Sequence, residues 1–204
     1  MIALIDYGLG NLRSVQKAFE HLGTQIVLTS DPAQVARADK LILPGVGAFS
    51  AGMAGLRQRG LIEPIRQAVR AGVPFIGICL GMQLLFDESE EVGQGFQPEK
   101  GLGLLPGQVV LMQGEGLQVP HMGWNQIQPV RDSLLLREVS PGAFAYFVHS
   151  YICMPVDEEA VLATTDYGQS FASVVGKDNV WGIQFHPEKS QRTGLQVLRN
   201  FITC

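Results

Sequence analysis

Extremes of charge, long apolar runs and clustered cysteines are all missing from this chain of 204 residues. A net charge of −4 with no basic run argues against electrostatic binding of nucleic acid. No apolar stretch reaches membrane-spanning length, and residues 1–6 meet an acidic residue too early for a signal peptide. Cys79, Cys153 and Cys204 are too few and too widely spaced for a disulfide framework or a metal cluster. We therefore expect a cytoplasmic protein without a metal or cofactor.

Apolar residues make up 46% of the chain, which is enough for one sizeable core, so we expect a single domain over residues 1–204. The first half alternates apolar strands with segments of helical periodicity, which predicts an open, mainly parallel sheet flanked by helices. The strands are predicted at 1–6, 25–28, 41–43 and 73–78, and the helices at 12–22, from 32 and at 61–69. After residue 100 we expect a strand-rich, mixed-sheet extension with strands at 109–112, 124–127, 145–148 and 161–164. A hairpin over 170–185 and a last helix capped by Ser190 complete the α/β fold.

Cys79 lies in the stretch Gly77-Ile78-Cys79-Leu80-Gly81, between an apolar strand and a helix-like segment at 82–86. Glycine on both sides suits a crowded strand-to-helix turn, so we interpret this stretch as a nucleophile elbow with cysteine in place of serine. The start of a helix favours a reactive thiolate. A small buried core cysteine is the alternative that this segment alone leaves open.

His186 is the histidine best placed to activate a nucleophile, because it directly follows the apolar stretch 180–185. The ends of parallel strands meet at one edge of a sheet, so His186 and Cys79 are expected close together. Pro187 favours an extended His186, and Glu188 would then return to the same side and orient the imidazole. An exposed turn with incidental charge is the alternative for this stretch.

An attack by cysteine on a carboxamide creates an oxyanion that needs hydrogen-bond donors. The Leu80 N–H is one candidate. The glycine-rich turn at 44–47, which contains Val46 and Gly47, could supply another. An ordinary strand-to-loop turn is the alternative for residues 44–47.

The chain resembles the class I, or triad-type, glutamine amidotransferases over essentially its whole length, in segments 44–47, 77–83 and 184–188. The resemblance implies a flavodoxin-like three-layer architecture and hydrolysis of glutamine through a glutamyl thioester. By position, Cys79 would be the nucleophile, His186 the general base and acid, and Glu188 the orienting carboxylate.

The resemblance also implies which residues bind glutamine. Gln83 and Gly45 would contact the substrate, and His149, Ser150 and Tyr151 would meet its amino-acid end, chiefly through backbone atoms. A purely structural role for His149 stays open.

Segments 6–12, 120–125 and 147–151 are similar to the glutaminase subunits of imidazole glycerol phosphate synthases. This resemblance implies a heterodimer with a (β/α)8-barrel cyclase subunit, which receives ammonia for a step of histidine biosynthesis. The docking contacts would be Tyr7, Asn11, Met122, Trp124 and Lys189, although Trp124 could instead be a core residue.

Val46 stands where many members of the family carry a second glycine. Because valine adopts a positive φ less easily than glycine, we expect the Val46 peptide to rotate when the partner activates the enzyme.

Three other functions remain to be weighed. They are the glutaminase subunit of pyridoxal phosphate synthase, a cysteine peptidase or hydrolase on the same type of sheet, and a catalytically silent regulatory module.

Overall fold

Five short parallel strands form one half of the main sheet in the computed structural model, which describes residues 1–91, 98–114 and 116–204. They are β1 (Ile2–Ile5), β2 (Ile26–Thr29), β3 (Lys40–Leu43), β4 (Phe75–Ile78) and β13 (Val180–Ile183). Their order in the sheet is β2-β1-β3-β4-β13. Successive residues of β3 enter opposite apolar clusters, Leu41 and Leu43 on one face and Ile42 on the other. The centre of the parallel half is therefore buried on both faces, as helices on both sides require, whereas Val27 and Leu28 of the edge strand β2 are exposed.

The helices of the first half connect these strands. They are α1 (Leu12–His21), α2 (Pro32–Val35), α3 (Phe49–Gln58), α4 (Ile62–Arg70) and α5 (Leu80–Gln83). A last helix, α6 (Gln191–Thr203), closes the chain.

The other half of the nine-stranded sheet is antiparallel and continues from β13 through four strands. In spatial order these are β12 (Ser170–Lys177), β11 (Val161–Asp166), β8 (His121–Pro129) and β9 (Ala143–His149). A second sheet has the order β10-β7-β5-β6 and is built from β10 (Tyr151–Pro155), β7 (Gly107–Leu111), β5 (Glu88–Ser89) and β6 (Glu99–Lys100). Ser150 alone separates β9 from β10, so the chain changes sheets at that residue.

The expected α/β class, with a parallel sheet and a strand-rich extension, is confirmed. Local signals explain several boundaries. Gly23 ends α1 with a φ of 75°, and the Asp31 side chain accepts a hydrogen bond from the Ala33 N–H at the start of α2. The hairpin between β12 and β13 turns through Asp178, whose φ is 53°.

Sequence periodicity missed α3 and β10. Two glycines lower the helix propensity of α3, and both are needed for packing. A Cβ on Gly55 would overlap the Tyr7 carbonyl oxygen, and one on Gly52 would lie 3.1 Å from a Leu84 methyl group. Tertiary packing therefore decided that helix.

Two local predictions were wrong in detail. The helix after Cys79 starts at Leu80 and ends at Gln83, so it is a single turn that begins earlier than predicted. Ser190 stands at the N-cap position of α6, but its side chain makes no capping hydrogen bond.

Within the described residues, no helix is both long and apolar enough to cross a membrane.

Candidate active site

Cys79 occupies a strained turn between β4 and α5, with φ 54° and ψ −110°, and it is 6% exposed. A positive φ is costly for a residue with a Cβ and marks a position held by its surroundings. Gly81 permits the turn, because a Cβ there would overlap the carbonyl oxygen of Leu43. The Cys79 N–H donates to the Ile183 carbonyl at 2.8 Å, which ties the turn to the end of β13. The structure therefore has the elbow geometry that the flanking glycines indicated.

Two buried glutamine amides connect the sulfur of Cys79 to the cavity beside it. Gln184 Nε2 donates to Cys79 Sγ at 3.7 Å, and Gln184 Oε1 accepts from Gln83 Nε2 at 3.2 Å. Gln83 Nε2 also donates to the Tyr151 carbonyl at 3.2 Å. The Gln83 amide nitrogen is thus occupied, and its oxygen is the end left to face a ligand. Sequence reasoning gave Gln184 no role, because no local signal shows that its side chain points at the sulfur.

His186 and Glu188 form a buried pair, with side chains 3% and 1% exposed and a distance of 2.9 Å between Nδ1 and Oε1. Burial by itself lowers the pKa of His186. Contact with Cys79 and the hydrogen bond and charge of Glu188 outweigh that effect and raise the pKa well above its usual value. The raised pKa favours the protonated ring, in which Nδ1–H donates to Glu188. Its Nε2 has no hydrogen-bond partner with good geometry within the described residues.

The backbone around this pair differs from the extended chain that we expected. His186 is extended, with φ −92° and ψ 102°, but residues 187–189 form one turn of 3-10 helix that brings Glu188 back to the imidazole. The proline prediction for His186 is right, and the extended path to Glu188 is wrong.

Ser190 fixes the position of His186 instead of capping α6. Its hydroxyl donates to the His186 carbonyl at 2.6 Å and accepts from the Tyr146 N–H at 2.9 Å. The His186 N–H in turn donates to the Tyr146 carbonyl at 2.9 Å. Three hydrogen bonds therefore hold the histidine backbone against β9.

His121 and His149 form a second buried pair, opposite each other on β8 and β9. His149 Nδ1 lies 2.9 Å from the Tyr151 carbonyl, which can only accept, so this nitrogen carries the proton. His149 Nε2 then accepts from His121 Nδ1 at 3.0 Å, and His121 Nε2 accepts from Asn125 Nδ2 at 3.2 Å. Burial lowers the pKa of both histidines to about 4, although the Tyr151 hydrogen bond partly opposes this at His149. Both rings are therefore neutral and have fixed tautomers.

A cavity of about 380 Å³ opens in front of Cys79. It is lined by the predicted residues Val46, Gly47, Cys79, Leu80, Gln83, His149, Ser150 and Tyr151, together with Val148, Glu91 and Pro120. The sequence gave no signal for Glu91, and it marked Pro120 only as the first residue of the segment 120–125. A larger cavity of about 890 Å³ lies along residues 129–141, and none of the predicted site residues lines it.

The turn at residues 44–47 forms one wall of this cavity. Val46 is 40% exposed there, and Gly47 has a φ of 103°. In the described part of the chain, the N–H groups of Val46 and Gly47 donate to no acceptor. Gly45 does not line the cavity but lies behind it, where a Cβ would be 2.9 Å from that of Leu80. Val46 and Gly47 are thus the members of the turn that face a ligand.

Four of the five residues predicted to contact a partner are at the surface. Met122 is 63% exposed and Trp124 46%, and Asn11 and Lys189 are exposed as well. Trp124 packs edge-on against Tyr146, and Lys189 Nζ lies 5.5 Å from the centre of the same ring. Tyr7 is 1% exposed, so its predicted surface contact is wrong. Its side chain turns inward at the end of β1 and packs between α3 and the turn at 44–47.

Comparison with known proteins gives a consistent result. The family model for class I glutamine amidotransferases matches residues 3–204. The imidazole glycerol phosphate synthase subunit HisH of Syntrophotalea carbinolica is 54% identical to this chain, with 98% of each chain covered. The subunit of the same name from Moorella thermoacetica is 52% identical, with 98% of this chain and 93% of the relative covered. A glutamine amidotransferase crystal structure superposes with a TM-score of 0.76 at 21% identity, covering 100% and 98% of the two chains.

Proposed function

Since the chain belongs to the class I glutamine amidotransferases, we propose that it is the glutaminase subunit of an imidazole glycerol phosphate synthase. The observation that carries the chemistry is the position of Cys79. It lies on a strained turn, beside the buried His186–Glu188 pair and in front of a cavity of about 380 Å³. A cavity of this size suits one small polar substrate.

Cys79 attacks the side-chain amide carbon of glutamine as the thiolate. The C–N bond breaks as the His186 imidazolium gives its Nε2 proton to the leaving nitrogen, so ammonia departs and a glutamyl thioester remains. Neutral His186 then takes a proton from water, and the resulting hydroxide attacks the thioester. Glutamate leaves, and the Cys79 thiolate and the imidazolium return. Glu188 holds the ring and balances its charge throughout.

The oxyanion of each tetrahedral intermediate needs two donors. The Leu80 N–H, directly after the nucleophile, is one, and the N–H of Val46 or Gly47 is the other. The Val46 and Gly47 N–H groups have no acceptor within the described residues, which supports this role. We propose that the Gly45–Val46 peptide rotates its N–H into the cavity when the partner subunit is loaded with its own ligand.

The amino-acid end of glutamine binds at the part of the cavity that Gln83, Glu91 and Tyr151 line. The Glu91 carboxylate is an acceptor suited to an ammonium group, and Gln83 Oε1 is a further acceptor, whereas the Tyr151 carbonyl already accepts from Gln83 and His149. Glu91 is held in place because its Oε2 accepts from the Phe49 N–H at 2.7 Å. Ser150 lines the cavity where the chain changes sheets, and since its carbonyl accepts from the Met112 N–H at 2.9 Å, its N–H is the backbone group left for the ligand.

Ammonia released in water is protonated and lost as a nucleophile, so the product must pass directly to a second active site. The exposed surface of Met122, Trp124, Asn11 and Lys189 is the proposed docking face for a (β/α)8-barrel cyclase. Exposed aromatic and Met side chains are enriched at such interfaces. The three cysteines are free thiols, which supports action in the cytoplasm.

The test is glutamate release by the purified chain alone, with the cyclase subunit, and with the cyclase and its phosphoribulosyl nucleotide substrate. We expect little release from the chain alone and strong stimulation in the complete mixture. The Cys79→Ala variant should release no glutamate but still bind the cyclase, which should remain active with added ammonium salt. Glutamine turnover by Cys79→Ala would rule out the mechanism. Stimulation by the synthase subunit of pyridoxal phosphate synthesis instead would redirect the proposal to that pathway.

A further inference from the structure

Tyr7 has a buried hydroxyl that the reaction described so far does not use. The residue is 1% exposed, and its hydroxyl has no hydrogen-bond partner within residues 1–91, 98–114 and 116–204. A buried hydroxyl without a partner costs free energy, and such groups are rare in folded proteins. The unpaired hydroxyl of Tyr7 therefore calls for a physical explanation.

The group that this hydroxyl faces is the backbone of Gly45. A Cβ built on Gly45 would overlap Tyr7 Oη, and it would also lie 2.9 Å from the Leu80 Cβ. Gly45 is thus packed between the tyrosine hydroxyl and the first residue of α5. On its other side the tyrosine packs on α3, where a Cβ on Gly55 would lie 3.2 Å from Tyr7 Cδ2. The ring is held on both sides, and its hydroxyl stays next to Gly45.

Rotation of the Gly45–Val46 peptide moves two groups together. In a trans peptide the N–H and the C=O point in opposite directions. When the Val46 N–H turns into the cavity, the Gly45 carbonyl must turn away from it, towards the packed interior. A carbonyl there without a donor is costly.

Gly47 leaves room for this rotation. A Cβ on Gly47 would meet no atom within 4 Å, and its φ of 103° is a conformation that glycine leaves and enters easily. The Gly45–Val46 peptide turns about ψ of Gly45 and φ of Val46, and the open space around Gly47 lets the end of the turn adjust to this rotation.

We propose that the Tyr7 hydroxyl donates a hydrogen bond to the Gly45 carbonyl when the Val46 N–H turns into the cavity, and so stabilises the formed oxyanion hole. Tyr7 is then a positioning residue whose partner exists only in the active arrangement. The inference rests on the proposed function, because it concerns the donors of that reaction.

The hydroxyl keeps its proton for this task. Burial, and secondly the negative charge of Cys79, raise the pKa of Tyr7 far above its usual value. Tyr7 is therefore a donor over the whole working pH range and takes no part in proton transfer.

The test is Tyr7→Phe in the complete two-subunit enzyme, supplied with glutamine and the cyclase substrate. We expect kcat for glutamine hydrolysis to fall about tenfold, the effect of one hydrogen bond lost from the active arrangement, with KM unchanged. The matched control is Tyr167→Phe, whose hydroxyl donates to the Gln118 carbonyl at 3.0 Å at the surface. This control should hydrolyse glutamine at the wild-type rate.

Two further measurements separate an oxyanion effect from general damage. In an aldehyde analogue of glutamine, Cys79 Sγ adds to the aldehyde carbon, and the aldehyde oxygen then occupies the oxyanion hole. Tyr7→Phe should therefore weaken inhibition by this analogue about tenfold. Alkylation of Cys79 by iodoacetamide forms no oxyanion and should keep its wild-type rate. In a structure of the complex with bound aldehyde, Tyr7 Oη should lie within hydrogen-bond distance of the Gly45 oxygen.

The outcomes distinguish this inference from the function on which it rests. Stimulated wild-type enzyme with an equally fast Tyr7→Phe variant overturns the role of Tyr7 and leaves the proposed function intact. Equal slowing of hydrolysis and of alkylation also overturns it, because the loss would then be structural. A wild-type chain that hydrolyses no glutamine under any condition overturns both.

Discussion

His186 and His149 are both buried histidines, yet the pKa of His186 is raised whereas that of His149 is lowered. His186 faces Glu188 and Cys79, which raise its pKa, whereas His149 faces a carbonyl and a neutral histidine, and burial lowers its pKa to about 4. His149 is 6% exposed and His186 3%, so exposure does not distinguish them. The charge on the partner groups decides whether a buried imidazole is an acid or a fixed hydrogen-bond link.

The largest effect is expected when the negative charge beside His186 is removed, because this charge distinguishes His186 from His149. Glu188→Gln keeps the shape but cannot balance an imidazolium, so we expect kcat for glutamine hydrolysis in the complete enzyme to fall about a thousandfold, by analogy with other catalytic triads. Glutamate release measures this loss. Glu63→Gln, on the exposed face of α4, serves as the control and should keep the wild-type rate. A Glu188→Gln rate within threefold of wild type would show that His186 needs no carboxylate.

The free energy of unfolding should change with pH in opposite directions at His149 and at His186. His149 has a folded pKa of about 4, below its usual 6.5, so the unfolded chain binds more protons between these values and stability is lost as pH falls through this window. The loss at His149 is about 3 kcal/mol. His186 has a raised pKa, so its contribution is complete below pH 6.5 and is lost as pH rises. Urea unfolding from pH 4 to 9 measures both arms.

A His149→Gln variant should make the acid arm of that curve less steep and leave the alkaline arm unchanged, and the remaining slope includes the contribution of His121, whose pKa is also about 4. An acid arm as steep in this variant as in wild type would contradict the neutral assignment of His149.

The next change tests how firmly the charged pair is anchored. Ser190→Ala removes two buried hydrogen bonds, to Tyr146 and to the His186 carbonyl, and should lower the free energy of unfolding by about 2 kcal/mol. It should also slow glutamine hydrolysis several-fold, because the His186 backbone loosens. Ser133→Ala removes one cap, at Leu135, and should cost about 1 kcal/mol without affecting hydrolysis. Equal losses of activity in both variants would contradict a specific role for Ser190.

The smallest effect is expected at the neutral pair. His121→Gln removes the ring that fixes His149 Nε2, so the His149 ring, which lines the cavity, should be held less firmly. We expect KM for glutamine to rise about threefold to fivefold with kcat nearly unchanged, which steady-state kinetics can resolve. A loss confined to kcat would place His121 in the chemistry instead.

Much of the parallel half could be predicted from local residues. The strands follow from apolar runs, and the ends of the helices follow from single residues, such as Gly23 after α1 and Asp31 before α2. Each of these features affects only residues close to it in the chain, so the sequence is enough to recognise it. Helix α3 could not be predicted, because its glycines lower helix propensity for the sake of contacts with distant residues. The role of Ser190 could not be predicted either, because its side chain donates to the His186 carbonyl and does not cap the helix that follows it.

The sequence by itself determined the strand-to-helix turn at Cys79, the proposed nucleophile, because such an elbow depends on glycines and an apolar strand that adjoin this residue. It also put His186 and Glu188 two residues apart, although the 3-10 turn at 187–189, and not an extended chain, brings the carboxylate to the imidazole. Only the tertiary structure decided the neutral His121–His149 pair, the Gln184 contact with sulfur and the burial of Tyr7. Those contacts join residues far apart in the chain and depend on strand order and register, which no local stretch encodes.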